Sequence, residues 1–191
     1  MMTKLMYKLV FLFFSMVAIA HASPDKLPGN IAIHIAKTHY LHPVLLLHPY
    51  LNVWHMKGPL AEKAAMPSMQ AHFAQVSECE DDSQADVVVL LEPHMFYNAQ
   101  LQVYHAEYIA RVYTSNDEPI TRIKKQAQQI GPITISPDFY MEKAYTKAID
   151  KVITALKNDQ AFLDSLNKNK PIDAGKLCKN LDLLPLDKLY Y

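Results

Sequence analysis

Residues 86–92 read DVVVLLE, an unbroken aliphatic run between two acidic residues that decides the predicted fold. The five apolar positions in a row leave no polar side for solvent, so a strand of this composition is buried on both of its faces. Only a strand in the interior of a sheet is covered in that way. We therefore predict that residues 86–92 form a central strand.

Two further strands follow this run. Residues 102–114 alternate, with Tyr104 and Tyr108 on the side of small apolar residues and His105 and Glu107 on the other, which predicts a strand with one face on the core. After a turn at 115–119, residues 120–130 are rich in lysine, arginine and glutamine. That polarity is typical of a sheet edge, where lysines discourage pairing with other chains.

Two long helices are predicted. The first begins at Gly58-Pro59, where a proline's missing N–H is harmless, is interrupted and restarted by Pro67, and ends in the acidic run 78–82. The second begins at Ser136-Pro137-Asp138, which combines a capping hydroxyl, a proline at the first helical position and a carboxylate at the positive end of the helix dipole. It runs to about residue 158 with one apolar stripe.

The remaining segments complete a two-layer α+β domain. Residues 31–36 alternate as a strand, residues 44–47 form a short aliphatic strand, and residues 50–56 either extend it or pair with it. A short helix at 160–166 precedes an irregular tail. This order predicts a largely antiparallel sheet of four to five strands with the two main helices packed on one face.

The N-terminus predicts export. Lys4 and Lys8 precede the apolar run 9–20, and Ala20 and Ala22 stand where a signal peptidase needs small residues. Twelve helical residues span roughly 18 Å, short of the ~30 Å hydrocarbon core, which favours a cleaved signal over an anchor. We predict a signal peptide at 1–22, a single domain at 23–158 and a tail at 159–191 tethered to it. The mature protein is then periplasmic or secreted, without a transmembrane segment.

The two cysteines both survive this cleavage. In an oxidising compartment an even number of cysteines favours pairing, so we predict a disulfide between Cys79 and Cys178 that clamps the tail to the domain. Two unpaired thiols remain the alternative. The spacing is not C-x-x-C, which disfavours a redox role.

Charge and motif content disfavour several classes of function. Lys+Arg and Asp+Glu are equal at 19 each, so no basic field exists for nucleic acid, and four scattered glycines form no phosphate-binding loop. Neither G-x-S-x-G nor H-E-x-x-H occurs. His105, Glu107 and Arg111 could share acid–base work on one strand face, but we interpret them as a cross-strand charge network. We expect no nucleic-acid partner and no enzymatic activity.

Histidine is the one functional residue type in excess. Five of the nine histidines lie between His34 and His55, and imidazole binds zinc and copper. Short strands could bring His39, His42 and His48 together at one sheet edge, although their spacings match no helical pair of ligands. A periplasmic metal-binding protein with zinc or copper at these histidines is therefore the alternative to a protein without a cofactor.

The sequence also carries a family resemblance. The segment ADVVVLL at 85–91, the strand at 103–114, the turn with Asn116-Asp117, the polar strand and the closing helix resemble the core of small periplasmic accessory proteins of bacterial envelope assembly and lipid-transport machines. The resemblance covers about residues 60–158 and rests on element order. This chain differs from the lipid-anchored members because no cysteine follows its signal peptide.

These observations favour an accessory module that binds another envelope component, a protein in our interpretation. Tyrosine is enriched at protein interfaces because its ring is apolar and its hydroxyl tolerates water. We predict contacts with the partner at Arg122 and Lys124 on the edge strand and at Tyr190 and Tyr191 at the end of the tail.

Overall fold

The structure is a computed structural model that describes residues 26–115, 118–168 and 170–184. The predicted signal peptide, the turn residues Asn116 and Asp117, and the predicted contact residues Tyr190 and Tyr191 lie outside the described residues. Within those ranges, none of the helices combines the length and the hydropathy that crossing a bilayer requires.

The described residues contain nine strands and five helices. In chain order they are β1 (Leu27–His34), α1 (Lys37–Tyr40), β2 (Pro43–His48), β3 (Leu51–Met56), α2 (Lys57–His72), β4 (Phe73–Glu78), β5 (Gln84–Ala85), β6 (Val87–Asn98), β7 (Val103–Tyr113), β8 (Thr121–Ile130), α3 (Pro137–Leu156), α4 (Gln160–Asn167), β9 (Ile172–Asp173) and α5 (Ala174–Leu181). The predicted α+β class is confirmed.

The main sheet has five strands in the order β4-β1-β6-β7-β8. Its centre is β6, and Val87, Val88, Val89 and Leu91 are completely buried, which confirms the interpretation of the aliphatic run. β6, β7 and β8 form an antiparallel meander, whereas β1 runs parallel to both β4 and β6. The sheet is therefore mixed. The parallel pairing of β1 with β4 is possible because α2, between them in the chain, returns the chain to the end of the sheet at which β1 begins.

The first long helix ends earlier than the sequence predicts. It stops at His72, and residues 73–78, which we expected to continue it, form the edge strand β4. Met69, Phe73 and Val76 recur at a spacing that suits a helix, but pairing of the segment with β1 decides in favour of a strand. Local periodicity is a weaker constraint here than the backbone hydrogen bonds of the sheet.

The helices α2 and α3 cover one face of the sheet, as predicted, and they also pack on each other. The buried side of α3 consists of the expected apolar stripe, including Met141, Tyr145 and Ile149. Tyr108 on β7 donates its hydroxyl proton to the carbonyl oxygen of Ala61 on α2 at 2.7 Å. This bond ties the helical layer to the centre of the sheet.

Residues 170–184, which follow α4, contain regular secondary structure, whereas we predicted an irregular tail. α4 confirms the predicted short helix, but β9 and α5 then lie against the second face of the sheet, where Leu177 and Leu181 pack on Val88 and Leu90. The predicted disulfide between Cys79 and Cys178 is present. A helix of eight residues is marginal alone and forms here because packing and the crosslink hold it.

The strands β2 and β3 form a separate antiparallel hairpin around the turn Pro49-Tyr50. Of the two alternatives for residues 50–56, pairing with the preceding strand is therefore correct. On its inner side, Val44 and Leu46 are buried in the main core.

Candidate functional site

The outer side of this hairpin is an exposed apolar surface. Side chains of a strand alternate between its two sides, and the register places five of the hairpin's residues together away from the core. We name this surface the hairpin face; it consists of Pro43, Leu45, Leu47, Trp54 and Met56. Leu47 is 63% exposed and Trp54 64% exposed.

No charged residue interrupts this part of the chain. Between Lys37 and Lys57, nineteen consecutive residues contain no Asp, Glu, Lys or Arg. Leu41 and Tyr50, which precede and follow β2 in the chain, are also exposed apolar or aromatic side chains. Contiguous apolar surface of this kind marks interaction sites, and tryptophan and tyrosine are the residues that most often dominate binding energy.

The inner side of the hairpin holds this surface in place. Val44, Leu46 and the partly buried Val53 pack in the main core. His55 lies 3.3 Å from the hydroxyl of Tyr145 on α3, measured from its Nε2 atom. The hairpin face is therefore presented by a fixed two-stranded platform, so a partner that binds it would not have to order it first.

A buried group of basic side chains lies beneath the hairpin. We name it the basic cluster; it consists of His39 on α1, His55 on β3, Lys57 at the start of α2 and His94 on β6, all less than 10% exposed. The rings of His39 and His94 meet edge to face with their centroids 5.8 Å apart. In the described part of the chain, the Lys57 amine and both ring nitrogens of His39 have no hydrogen-bond partner.

Burial sets the protonation of this cluster. Desolvation, followed by the nearby charge of Lys57, lowers the pKa of His39, His55 and His94 from 6.5 to about 4. Desolvation also lowers the pKa of Lys57. The three imidazoles are therefore neutral at pH 7, because burial removes the hydration of a charged ring and the charge of Lys57 repels it.

The unpartnered amine gives a test of this description. Replacing Lys57 by Met keeps the length of the side chain and removes a buried polar group, so we expect the free energy of unfolding at pH 7 to rise by about 1 kcal/mol or more. Urea unfolding measures the change. The control is Lys157→Met at an exposed position, where we expect a shift below about 0.5 kcal/mol. A destabilised Lys57→Met protein would contradict the description.

The structure does not bring the three predicted metal ligands together. His39 belongs to the basic cluster and His42 lies close to it. His48, however, ends β2 at the hairpin turn, and a strand of six residues places it roughly 17 Å from Pro43 at the start of β2. Among residues 26–115, 118–168 and 170–184, no group of three or more His, Cys, Asp or Glu side chains could hold a metal ion. His34, at the end of β1, instead contacts Asp182 at 2.9 Å.

The second face of the sheet carries a polar groove of about 740 Å³ beside the part that α5 covers. Its side chains bind one another across strands: Glu107 pairs with Lys124 at 3.0 Å, and the Nδ1 atom of His105 lies 3.3 Å from the amide nitrogen of Gln128. Arg111 pairs with Glu92 on β6. Each of the three side chains thus has a cross-strand partner, as expected for a charge network, while the absence of acid–base work stays a prediction.

The predicted partner contacts of the edge strand both lie on this face. Arg122 and Lys124 are exposed on β8, and Lys124 is engaged with Glu107. Their role in partner binding stays a prediction. The hairpin face was not predicted from the sequence, although the long stretch without charge between Lys37 and Lys57 is the signal that could have revealed it.

Comparison with known proteins adds little to this description. No protein family model matches the chain, and no curated protein sequence matches it. A crystal structure of a DUF330 protein from Xanthomonas campestris is 11% identical, with a TM-score of 0.47 over 77% of this chain and 93% of that chain. A candidate lipoprotein from Caulobacter crescentus is 9% identical, with a TM-score of 0.37 over 74% of this chain and 93% of that chain. Neither likeness is close enough to bear on function.

Proposed function

We propose that the protein is an exported, non-enzymatic binding module that docks on another protein of the bacterial envelope through its hairpin face. The observation that carries the proposal is this fixed, uncharged and exposed surface centred on Trp54 and Leu47. A surface of this chemistry is costly to leave in water, and covering it supplies the free energy of association.

The chemistry of the hairpin face also describes the partner. A charged partner surface would lose hydration on this face without gaining a counter-charge, because no ionised side chain stands between Lys37 and Lys57. An apolar, uncharged protein surface is complementary to it. A metal-binding role lacks comparable support, since the structure keeps His48 apart from His39 and His42.

Two further observations support the remaining parts of the proposal. The disulfide between Cys79 and Cys178 suits the oxidising conditions outside the cytosol. In the polar groove, Glu107 and His105 are engaged with neighbouring side chains rather than with a nucleophile, an arrangement typical of a structural network.

Site-specific photo-crosslinking in the cells that produce the protein tests the proposal. A photoreactive residue is placed in the full-length chain at position 47 or 54, and in control chains at Leu101 or Ile135, whose exposed fractions of 67% and 65% match those of Leu47 and Trp54. We expect one discrete protein adduct from positions 47 and 54 and not from the controls. Adducts with lipid alone, or identical adducts from all four positions, would refute the proposal.

Removing the two largest exposed side chains of the hairpin face should abolish this association. We expect Leu47→Ser with Trp54→Ser to weaken binding of the captured protein at least about 30-fold, since hot-spot truncations cost 2 kcal/mol or more. The matched control pair is Leu101→Ser with Ile135→Ser, which should bind as the wild type does. Binding of purified proteins is measured by calorimetry, and thermal unfolding checks that all variants are folded.

A further inference from the structure

The strand β3 has a free edge. Among the described residues its one strand neighbour is β2, and it joins no other strand. The turn has two residues, so Leu51 and His48 close the hairpin as a hydrogen-bonded pair, and bonded pairs then alternate along the strand. The backbone N–H and C=O groups of Val53 therefore hydrogen-bond to Leu46 on β2, while those of Asn52 and Trp54 point away from β2.

This edge carries none of the features that keep sheet edges unpaired. Natural edges are blunted by lysine and other charged residues, by proline or by bulges. β3 reads LNVWHM, with no charge and no proline, and its pairing with β2 is regular over all six residues. The free edge and the hairpin face meet at Trp54 and Asn52, whose side chains lie on the outer side of the same strand.

The edge at β8 shows the contrast. Lys151 on α3 donates to the carbonyl oxygen of Gln126 at 2.8 Å, and Lys147 reaches the carbonyl oxygen of Gln128 at 3.5 Å. The strand itself carries Arg122, Lys124 and Lys125. Side chains of the same molecule thus occupy the outward carbonyl groups of β8, which disfavours a further strand there. The opposite edge, β4, ends in Glu78 and the acidic run 78–82.

We propose that the partner presents an extended, uncharged segment that adds to β3 as the third strand of the hairpin sheet, with alternate side chains packed on the hairpin face. The inference rests on the proposed function and names its mode of binding. Main-chain bonds to Asn52 and Trp54 supply affinity, and the apolar side chains next to Trp54 supply selectivity.

Other occupants of this edge fit less well. In a bilayer the outward backbone groups of Asn52 and Trp54 would be buried in hydrocarbon without partners, which is costly. Self-pairing of two copies would use six residues of β3 from each, whereas a stable interface takes about 20–30 residues on each side. A different protein that adds a strand to β3 and also covers the hairpin face would satisfy the outward backbone groups, which a bilayer does not, and would bury more surface than pairing of two copies through β3 alone.

Amide hydrogen exchange measured by NMR tests the inference on the full mature chain. The probe is a blocked nonapeptide of alternating threonine and valine, and its control is the same peptide with every second amide N-methylated. Near saturation, we expect the unmodified peptide to slow exchange at Asn52 and Trp54 about tenfold, and the methylated peptide to leave it unchanged.

Two substitutions at one position separate backbone from side chain. Asn52→Pro removes an outward N–H without touching the bonds to β2, whereas Asn52→Val keeps that N–H in a residue suited to strands. We expect Asn52→Pro to weaken the peptide about tenfold or more and Asn52→Val to bind as the wild type does. The methylated peptide keeps the test valid even if Asn52→Pro disturbs the hairpin.

Several results would overturn the inference. These are a peptide that does not bind, a peptide that binds without protecting Asn52 and Trp54, and equal binding to the Asn52→Pro protein. A wild-type dimer that Asn52→Pro converts to a monomer would assign the edge to a second copy instead. If photo-crosslinking from positions 47 and 54 succeeds while the peptide fails, the proposed function stands and strand addition does not. If crosslinking fails, the proposed function fails whatever the peptide does.

Discussion

Replacing Cys79 and Cys178 together by alanine is expected to lower the free energy of unfolding by about 3–4 kcal/mol. The two cysteines are 99 residues apart, so the crosslink closes more than half of the chain into one loop and restricts the unfolded state strongly. Urea unfolding of the oxidised wild type and of the double variant measures the difference. An unchanged unfolding midpoint would contradict the prediction.

The loss should also be visible locally. Without the crosslink, α5 is held by apolar contacts such as those of Leu177 and Leu181 and by the fit of Gly175 against the backbone of Asp81. We expect loss of the crosslink to accelerate amide exchange more in α5 than in β6, because a short helix on the surface of the sheet opens at lower cost than a central strand. Equal acceleration in both elements would mean that α5 and the sheet unfold as one unit.

Acidification is expected to destabilise the protein steeply. The folded-state pKa of His39, His55 and His94 is about 4, below the unfolded value of 6.5, so the unfolded chain binds more protons between these limits. The stabilisation is complete above pH 6.5 and is lost as the pH falls toward 4. By pH 5 each histidine should cost about 2 kcal/mol, since one pKa unit corresponds to about 1.4 kcal/mol.

Urea unfolding at several pH values between 7.5 and 5 checks this prediction. The charge of Glu107 raises the pKa of His94 and the charge of Lys124 lowers it. All variants compared therefore keep Glu107 and Lys124 unchanged. His39→Gln should reduce the slope of stability against pH by about one proton, whereas Thr38→Gln, an exposed substitution on the same helix that removes no titratable group, should leave the slope as it is. A flat profile in the wild type would show that the basic cluster is hydrated.

The elements predicted correctly from the sequence are those in which the local hydrophobic pattern favours the same secondary structure as the packing in the folded protein. The aliphatic run of β6, the alternation in β7 and the apolar stripe of α3 each have one dominant period, and the structure has these elements at the expected places. The predicted cap of α3 is wrong in one respect, because the side chain of Ser136 makes no hydrogen bond to the first turn of the helix. The missed elements depend on distant partners. β4 is a strand because β1 lies beside it, and α5 is a helix because the disulfide and the second face of the sheet hold it.

The candidate site was hidden for a related reason. In β2 the run Val44 to Leu47 is apolar throughout, so it predicts a strand buried on both sides, and hydropathy alone does not distinguish an exposed apolar face from a covered one. The histidines misled in the opposite direction. Their clustering in sequence suggests one metal site, but His39 and His55 lie in the basic cluster with His42 close to it, while His48 lies at the hairpin turn and His34 contacts Asp182.

The position of β1 between β4 and β6 has a kinetic consequence. Ile31 pairs with Val76 and with Val87, the latter 56 residues further along, so the first strand of the sheet is completed only after both later strands exist. Contacts so distant in sequence slow folding, because the loop between them must close before they contribute. A chain that emerges with its N-terminus first carries this apolar strand without neighbours until residue 87 and beyond have appeared. Protection from premature aggregation during that interval is therefore a requirement of the topology itself.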